Sequence, residues 1–155
     1  MPEHRLILIR HAKAGDGPVD LGRPLTARGH TDARAIGTWL SAQAIVPDHA
    51  VVSPARRAVQ TWDEIADHLP TAPTPLIDER IYDNSVPKIL DVTRDTPPQI
   101  TTLALVGHNP GIAAYADALD DHRGNLEARE ALNRGYPTAS IAVLTVHGAW
   151  ADLEL

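Results

Sequence analysis

Histidine and arginine side chains follow apolar segments that lie far apart along the sequence. Arg10 and His11 come directly after the apolar run 6–9, and His108 follows a second such run. Arg56 stands close behind a third. If these runs are neighbouring strands, two imidazoles and at least two guanidiniums would surround one crevice, because ligands of open α/β sheets bind beyond the carboxyl ends of the strands. Such a set could hold a phosphoryl group and attack its phosphorus with an imidazole.

The apolar segments predict the strands that would position these side chains. Each is short and rich in Leu, Ile, Val or Ala, as is typical of a buried strand. The predicted strands cover residues 5–10, 50–52, 76–77, 101–106 and 139–146, with a last one at 149–154 that would pair with its predecessor through a turn.

Capping side chains stand before the amphipathic segments and predict where helices begin. Thr26 and Ser85 can each accept a hydrogen bond from a free backbone N–H of a first helical turn. Ser53-Pro54 and Asn109-Pro110 combine a capping side chain with proline at the first helical position. Residues 120–135 are polar and contain two glycines, so we expect an irregular segment there.

Strand and helix alternate through most of the chain, which indicates a three-layer α/β/α sandwich with a mostly parallel central sheet. The last strands lie close in sequence and would form an antiparallel edge. The 155 residues fit a single domain, residues 1–155, that can bury its core without disulfides or metal ions.

The composition narrows the possible classes of function. The net charge of −6 argues against a nucleic-acid or membrane surface. The absence of cysteine excludes disulfides, thiolate catalysis and iron–sulfur clusters. No tight His/Glu metal-ligand spacing occurs, so neither a metal nor a cofactor is expected. The first apolar run is too short for a signal peptide or a membrane span, and a cytoplasmic protein is expected.

The three strand ends suit the chemistry of phosphoryl transfer. Arg56 would lie in the first turn of a helix, where free backbone N–H groups favour an anion. Two guanidiniums and the His108 imidazole would stabilise the negative charge on the transferred group. A neutral His11 would attack phosphorus to form a phosphohistidine, and water would then release phosphate.

Three motifs, in this order, resemble those of the histidine phosphatase superfamily, also called the phosphoglycerate mutase-like fold. Arg10-His11 resembles the Arg-His-Gly signature, with Ala12 replacing glycine. The segment 53–61 is similar to Ser-Pro-x-x-Arg-Ala-x-Gln-Thr, and the segment 107–110 resembles the second-histidine motif. The short length and the segment 136–140 resemble the SixA-type branch, the small phosphohistidine phosphatases.

The resemblance implies a role for each matching residue. His11 would be the phosphorylated nucleophile, and Arg10, Arg56 and His108 would form the phosphate pocket. The methyl group of Ala12 costs little if the backbone there keeps a negative φ.

Two further residues are candidates for substrate chemistry. Glu79 stands where mutase-like members carry a carboxylate that protonates the leaving alcohol, but it could equally be an exposed charge paired with Arg80 in a loop. A phosphorylated imidazole needs little help to leave, so a weak acid position would suit phosphohistidine as substrate. Arg23 could contact the rest of the substrate, since Pro24 restrains its backbone.

The sequence therefore predicts a metal-independent phosphatase acting on a phosphohistidine-bearing protein or on a phosphorylated small molecule. A phosphoglycerate-mutase-type phosphoryl transferase is one alternative, although the short chain leaves little to exclude water from the site. A non-catalytic phosphate-binding protein is another, although such a protein need not keep both imidazoles and both guanidiniums.

Overall fold

A central sheet of five strands organises the structure, a computed structural model that describes residues 3–155. The strands are β1 (Glu3–Arg10), β2 (His49–Val52), β3 (Leu76–Ile77), β4 (Thr102–Gly107) and β5 (Ile141–His147). Their order is β3-β2-β4-β1-β5. The first four run parallel and β5 runs antiparallel to β1 at one edge. The predicted mostly parallel sheet with an antiparallel edge is confirmed, with β2, β4 and β1 as direct neighbours. The antiparallel pair is β1 with β5, and not residues 139–146 with 149–154 as expected.

Helices cover both faces of this sheet. They are α1 (Ala27–Ala42), α2 (Arg56–Ala66), α3 (Glu79–Tyr82), α4 (Val86–Arg94), α5 (Gly111–Leu119) and α6 (Leu126–Asn133). Thr26 and Ser85 cap α1 and α4 as predicted, by accepting hydrogen bonds from Gly29 N and Lys88 N. No helix among residues 3–155 is both long enough and apolar enough to cross a membrane.

The side chains of β1 alternate between two separate hydrophobic clusters. Ile7 and Ile9 pack with α1 and α2, whereas Leu6 and Leu8 pack with α4 and α5. Successive side chains of a strand point to opposite faces, so a strand buried on both faces reads as a continuous apolar run. The clusters explain the uninterrupted run in β1 and confirm the three-layer arrangement.

Three predicted helix boundaries differ from the structure. The helix expected to have Pro110 at its first position begins one residue later, at Gly111, with Pro110 as its N-cap. The helix expected at Ser53-Pro54 begins at Arg56, because Ser53 Oγ accepts from Ala55 N in a turn that precedes α2. Residues 78–82, expected as a loop, contain the short helix α3, which begins where Asp78 accepts from Arg80 N.

Two predictions in the last third of the chain were wrong. The segment 120–135 is not wholly irregular, since it contains α6, a helix in which no residue is buried and only the partly buried Leu132 packs against the core. The segment 149–154 is not a strand and contains a 3₁₀ turn at Trp150–Asp152. Trp150 is buried there and donates from Nε1 to Ile100 O at 2.8 Å, which folds the segment back onto the core.

Candidate active site

The two predicted imidazoles meet beyond the carboxyl ends of β1 and β4. Arg10 pairs with Gly107 in the parallel register, so His11 and His108 leave the sheet side by side. Their ring centroids lie 5.1 Å apart, and the rings are inclined by 51°. Both residues are buried, at 8% and 7% exposure.

His11 is held as a neutral imidazole with one free nitrogen. Its Nδ1 lies 2.7 Å from the carbonyl oxygen of Ala12. A carbonyl only accepts, so Nδ1 carries the proton and the lone pair lies on Nε2. Burial, reinforced by the positive charges of Arg57 and Arg10, lowers the pKa of His11 to about 4. The imidazole is therefore uncharged and nucleophilic at neutral pH.

His108 has the opposite tautomer. Its Nδ1 lies 3.4 Å from Nη2 of Arg57, which can only donate, so this nitrogen accepts. The protonated Nε2 donates to Ser53 Oγ at 2.7 Å. Burial, with smaller contributions from His11 and Arg57, lowers the pKa of His108 to about 3. An anion placed between the guanidiniums would oppose this shift, because it favours the protonated imidazole.

Arg57, and not Arg56, supplies the guanidinium of α2 to the site. Arg57 is 6% exposed and contacts His108, whereas Arg56 is exposed and makes no side-chain hydrogen bond or ion pair with residues 3–155. Adjacent helical residues project about 100° apart, so only one of the pair can face inward. The motif itself carried the signal, because the arginine of Ser-Pro-x-x-Arg is the fifth residue counted from Ser53, and that residue is Arg57.

Arg10 reaches the site from the last position of β1. Its Nη1 donates to Tyr136 O at 3.1 Å, and burial lowers the pKa of the guanidinium. Its Nε is buried and has no hydrogen-bond partner among the described residues. A buried donor without an acceptor is costly, and an anion between the two histidines would satisfy it.

Asp20 joins the site although the sequence did not single it out. Its Oδ2 accepts from Arg57 Nη2 at 3.1 Å and from Tyr82 OH at 2.6 Å, and its Oδ1 accepts from Arg23 Nη1 at 3.2 Å. The hydrogen bond from Tyr82, followed by that from Arg57, holds the pKa of the carboxyl well below its usual range. A carboxylate in a Gly- and Pro-rich loop gave no sequence signal for these long-range contacts.

The predicted substrate-binding residue Arg23 lies at the edge of this cluster. Its Nε donates to Gly15 O at 2.9 Å, so its guanidinium is anchored to its own loop and to Asp20. Its charge still contributes to the lowered pKa of His11.

Glu79 is exposed at the start of α3, and its side chain makes no hydrogen bond or ion pair with the described residues. The expected pairing with Arg80 is absent too, since Arg80 pairs with Asp78 and Asp95. Tyr82 is the residue of α3 that reaches the site, with its ring edge-to-face with His108 at 5.4 Å.

Polar side chains of α2 fix the loop that follows His11. Thr61 Oγ1 accepts from Ala12 N at 3.0 Å and donates to Arg57 O at 2.7 Å. Gln60 Oε1 accepts from Leu25 N at 2.8 Å, near the other end of the same loop. Ala12 is fully buried and is not among the residues with positive φ, so its methyl group fits the turn.

Tyr136 anchors the segment that precedes β5 to the sheet and to Arg10. Its hydroxyl donates to Leu8 O at 2.6 Å, and its carbonyl accepts from both Arg10 Nη1 and Asn109 Nδ2. Asn84 holds the opposite side by donating to His108 O at 3.0 Å. Contacts from several strands, helices and loops therefore fix the backbone around both imidazoles.

Comparison with known proteins identifies the family. The model of the histidine phosphatase superfamily (branch 1) matches residues 6–150, so the chain belongs to that superfamily. "Uncharacterized protein Rv1276c" of Mycobacterium tuberculosis is 36% identical over 149 residues, covering 94% of this chain and 92% of that protein. The chain is a histidine-type phosphatase.

The similar proteins include members of the SixA branch. The structure described as "Putative Phosphohistidine Phosphatase SixA" from Nakamurella multipartitia matches with a TM-score of 0.81 and 30% identity, covering 98% of this chain and 90% of that one. Phosphohistidine phosphatase SixA of Escherichia coli is 36% identical over 66 residues, which cover 42% of this chain and 41% of that protein.

Proposed function

We propose that the protein removes phosphate from phosphohistidine on a protein substrate, through a covalent phosphohistidine formed on His11. The observation that carries this proposal is the protonation pattern of His11. With Nδ1–H committed to Ala12 O, the lone pair of Nε2 is available beside the two guanidiniums and His108. The SixA proteins among its similar sequences and structures support the choice of substrate class.

The reaction would proceed in two displacements at phosphorus. In the first, Nε2 of His11 forms a bond to phosphorus while the bond to the substrate imidazole breaks. In the second, water attacks the phosphorylated His11, the nitrogen–phosphorus bond breaks, and inorganic phosphate and a proton leave. Arg10 and Arg57 would hold the phosphoryl oxygens and stabilise the charge that develops on them. His108 would join them once the bound anion favours its protonated form, because Nδ1 would then donate to an oxygen instead of accepting from Arg57.

The carboxyl groups near the site favour a substrate with a good leaving group. Asp20 is ionised and already accepts hydrogen bonds from three side chains, so it has no proton to give. Glu79 is exposed, and its side chain makes no hydrogen bond or ion pair with a residue of the cluster. An alkoxide requires a general acid, whereas an imidazole leaves with little assistance. This contrast supports phosphohistidine over an alkyl phosphate.

Rapid-quench labelling with a phosphohistidine peptide tests the proposal, with a chelator present throughout. The wild-type protein should accumulate an acid-labile phosphoenzyme and release inorganic phosphate, and His11→Ala should do neither while keeping its fold by circular dichroism. Near-wild-type turnover by His11→Ala would overturn the mechanism.

A substrate panel separates the alternatives. Sugar phosphates, an aryl phosphate and a phosphorylated acid would be compared with the peptide under the same conditions. Preference for the sugar phosphates would contradict the assigned substrate class. Formation of an isomer without phosphate release would indicate a phosphoryl transferase of the mutase type, and binding without any phosphoenzyme would indicate a non-catalytic protein.

A further inference from the structure

Arg57 occupies a position that is unfavourable for a positive charge. It is almost completely buried, and it lies in the first turn of α2, where the free N–H groups repel a cation. A buried charge is stable only when it is paired and hydrogen-bonded. The neighbouring Arg56, which has no partner among the described residues, is instead exposed to solvent.

Asp20 is the carboxylate that compensates this charge. Among residues 3–155 it is the only carboxylate in ion-pair contact with Arg57, through Oδ2 at 3.1 Å. Its backbone carbonyl also accepts from Arg57 Nη1 at 2.8 Å. Two parallel contacts from one residue fix the plane of the guanidinium as well as its place.

The same contacts determine which donors of Arg57 face the histidines. One hydrogen of Nη2 goes to Asp20 and the other is directed at Nδ1 of His108. Tyr82 and Arg23 donate to the Asp20 carboxylate from two further directions, which keeps that carboxylate in place although its side chain is 49% exposed.

We propose that Asp20 is a positioning residue that holds the guanidinium of Arg57 in the orientation needed to bind a phosphoryl group and to hydrogen-bond His108. The catalytic role of Asp20 rests on the proposed function. The chain of contacts from Asp20 through Arg57 to His108 does not, and it can be tested without measuring turnover.

The test compares Asp20→Ala and Asp20→Asn with Asp16→Asn, a matched control. Asp16 lies in the same loop, is exposed, and makes no side-chain hydrogen bond or ion pair with the described residues. Binding of inorganic phosphate is measured by calorimetry, and kcat and KM are measured with a phosphohistidine peptide. Thermal melting confirms that each variant is folded.

Loss of a charge-assisted contact predicts that Asp20→Ala weakens phosphate binding about tenfold or more. Asp20→Asn keeps an acceptor and should recover part of that loss, and Asp16→Asn should match the wild type. KM should rise with the phosphate dissociation constant, because ground-state binding of the phosphoryl group is lost. Unchanged binding in Asp20→Ala would overturn the proposal, and so would tighter binding, which would mean that the carboxylate repels the substrate anion.

A spectroscopic readout separates this proposal from the proposed function. Long-range ¹H–¹⁵N spectra report the Nδ1 signal of His108, which should move in Asp20→Ala and stay in place in Asp16→Asn. If the wild-type protein forms no phosphoenzyme but Asp20→Ala moves this signal and weakens phosphate binding, only the proposed function fails. If turnover is as proposed but the His108 signal is unaffected, only the positioning role fails.

Discussion

Nη2 of Arg57 is directed at Nδ1 of His108 across 3.4 Å, while the adjacent Arg56 is exposed to solvent. Two arginines that are neighbours in the sequence therefore have different surroundings. This pair provides a matched comparison in which the chemical change is identical and only the position differs.

Replacing Arg57 with alanine should reduce kcat/KM by about a hundredfold or more, because a donor aimed at developing charge is removed from a buried site. Arg56→Ala should stay within about twofold of the wild type. Steady-state kinetics with a phosphohistidine peptide measures both. Equal losses in the two variants would contradict the assignment of Arg57 to the phosphate pocket.

Ser53→Ala should impair both stability and activity. Ser53 is fully buried, and its Oγ accepts the Nε2–H of His108, so the variant leaves a buried donor unpaired. The expected cost is about 1–3 kcal/mol in the free energy of unfolding, measured in urea. Ser85→Ala, which removes the cap of α4, should cost about 1 kcal/mol yet leave kcat unchanged. A normal kcat in Ser53→Ala would mean that this hydrogen bond does not orient His108 for catalysis.

Thr61→Val preserves the shape of the side chain but removes the acceptor for Ala12 N, next to His11. We expect a loss of about 1–3 kcal/mol in the free energy of unfolding, because that N–H becomes buried without a partner. The rate of phosphoenzyme formation should fall as well, since the loop next to His11 loosens. Thr31→Val is the control, because Thr31 also donates to the carbonyl four residues earlier but is exposed. A fall in stability without any fall in rate would show that Thr61 supports only the fold.

The free energy of unfolding should decrease as the pH falls from about 7 to about 4. In the folded protein the pKa of His11 is lowered to about 4 and that of His108 to about 3, whereas unfolded histidine titrates near 6.5. In this window the unfolded chain binds protons that the folded protein does not, so acid favours unfolding.

Urea midpoints at several pH values measure this dependence. The contribution of the two imidazoles is fully present above pH 6.5 and is lost progressively towards the folded-state values. His11→Gln should show a shallower slope, because one of the two buried imidazoles is gone. An unchanged slope in that variant would show that the acid sensitivity arises elsewhere.

The sheet could be predicted from the sequence because its central strands are buried on both faces. Residues 6–9 alternate between two clusters and so form one apolar run, and β4 behaves in the same way. The positions of His11 and His108 followed from these strands, since both come directly after a strand end. By contrast, the helix α6 and the turn at Trp150 could not be predicted. No residue of α6 is buried, and Trp150 is held by a hydrogen bond to Ile100, which is distant in the sequence.

Arg57 and Asp20 were missed for different reasons. Arg57 lies on the buried face of α2 with Ala58 and Thr61, so helical periodicity as well as the motif spacing distinguishes it from Arg56. Asp20 contacts residues from distant parts of the chain, so no local pattern marks it. The motif spacing pointed to Arg57, and no comparable signal pointed to Asp20.

Tyr136 is held at both its hydroxyl and its backbone carbonyl, so it limits how far a change in residues 120–135 can displace the two imidazoles. That stretch carries α6 on the outside with Leu132 packed against the core, and Tyr136 then anchors the chain to the sheet through its hydroxyl at Leu8 O. Lengthening a surface loop costs little free energy. Insertions or exchanges at the exposed positions of this stretch should thus leave the reacting atoms undisturbed.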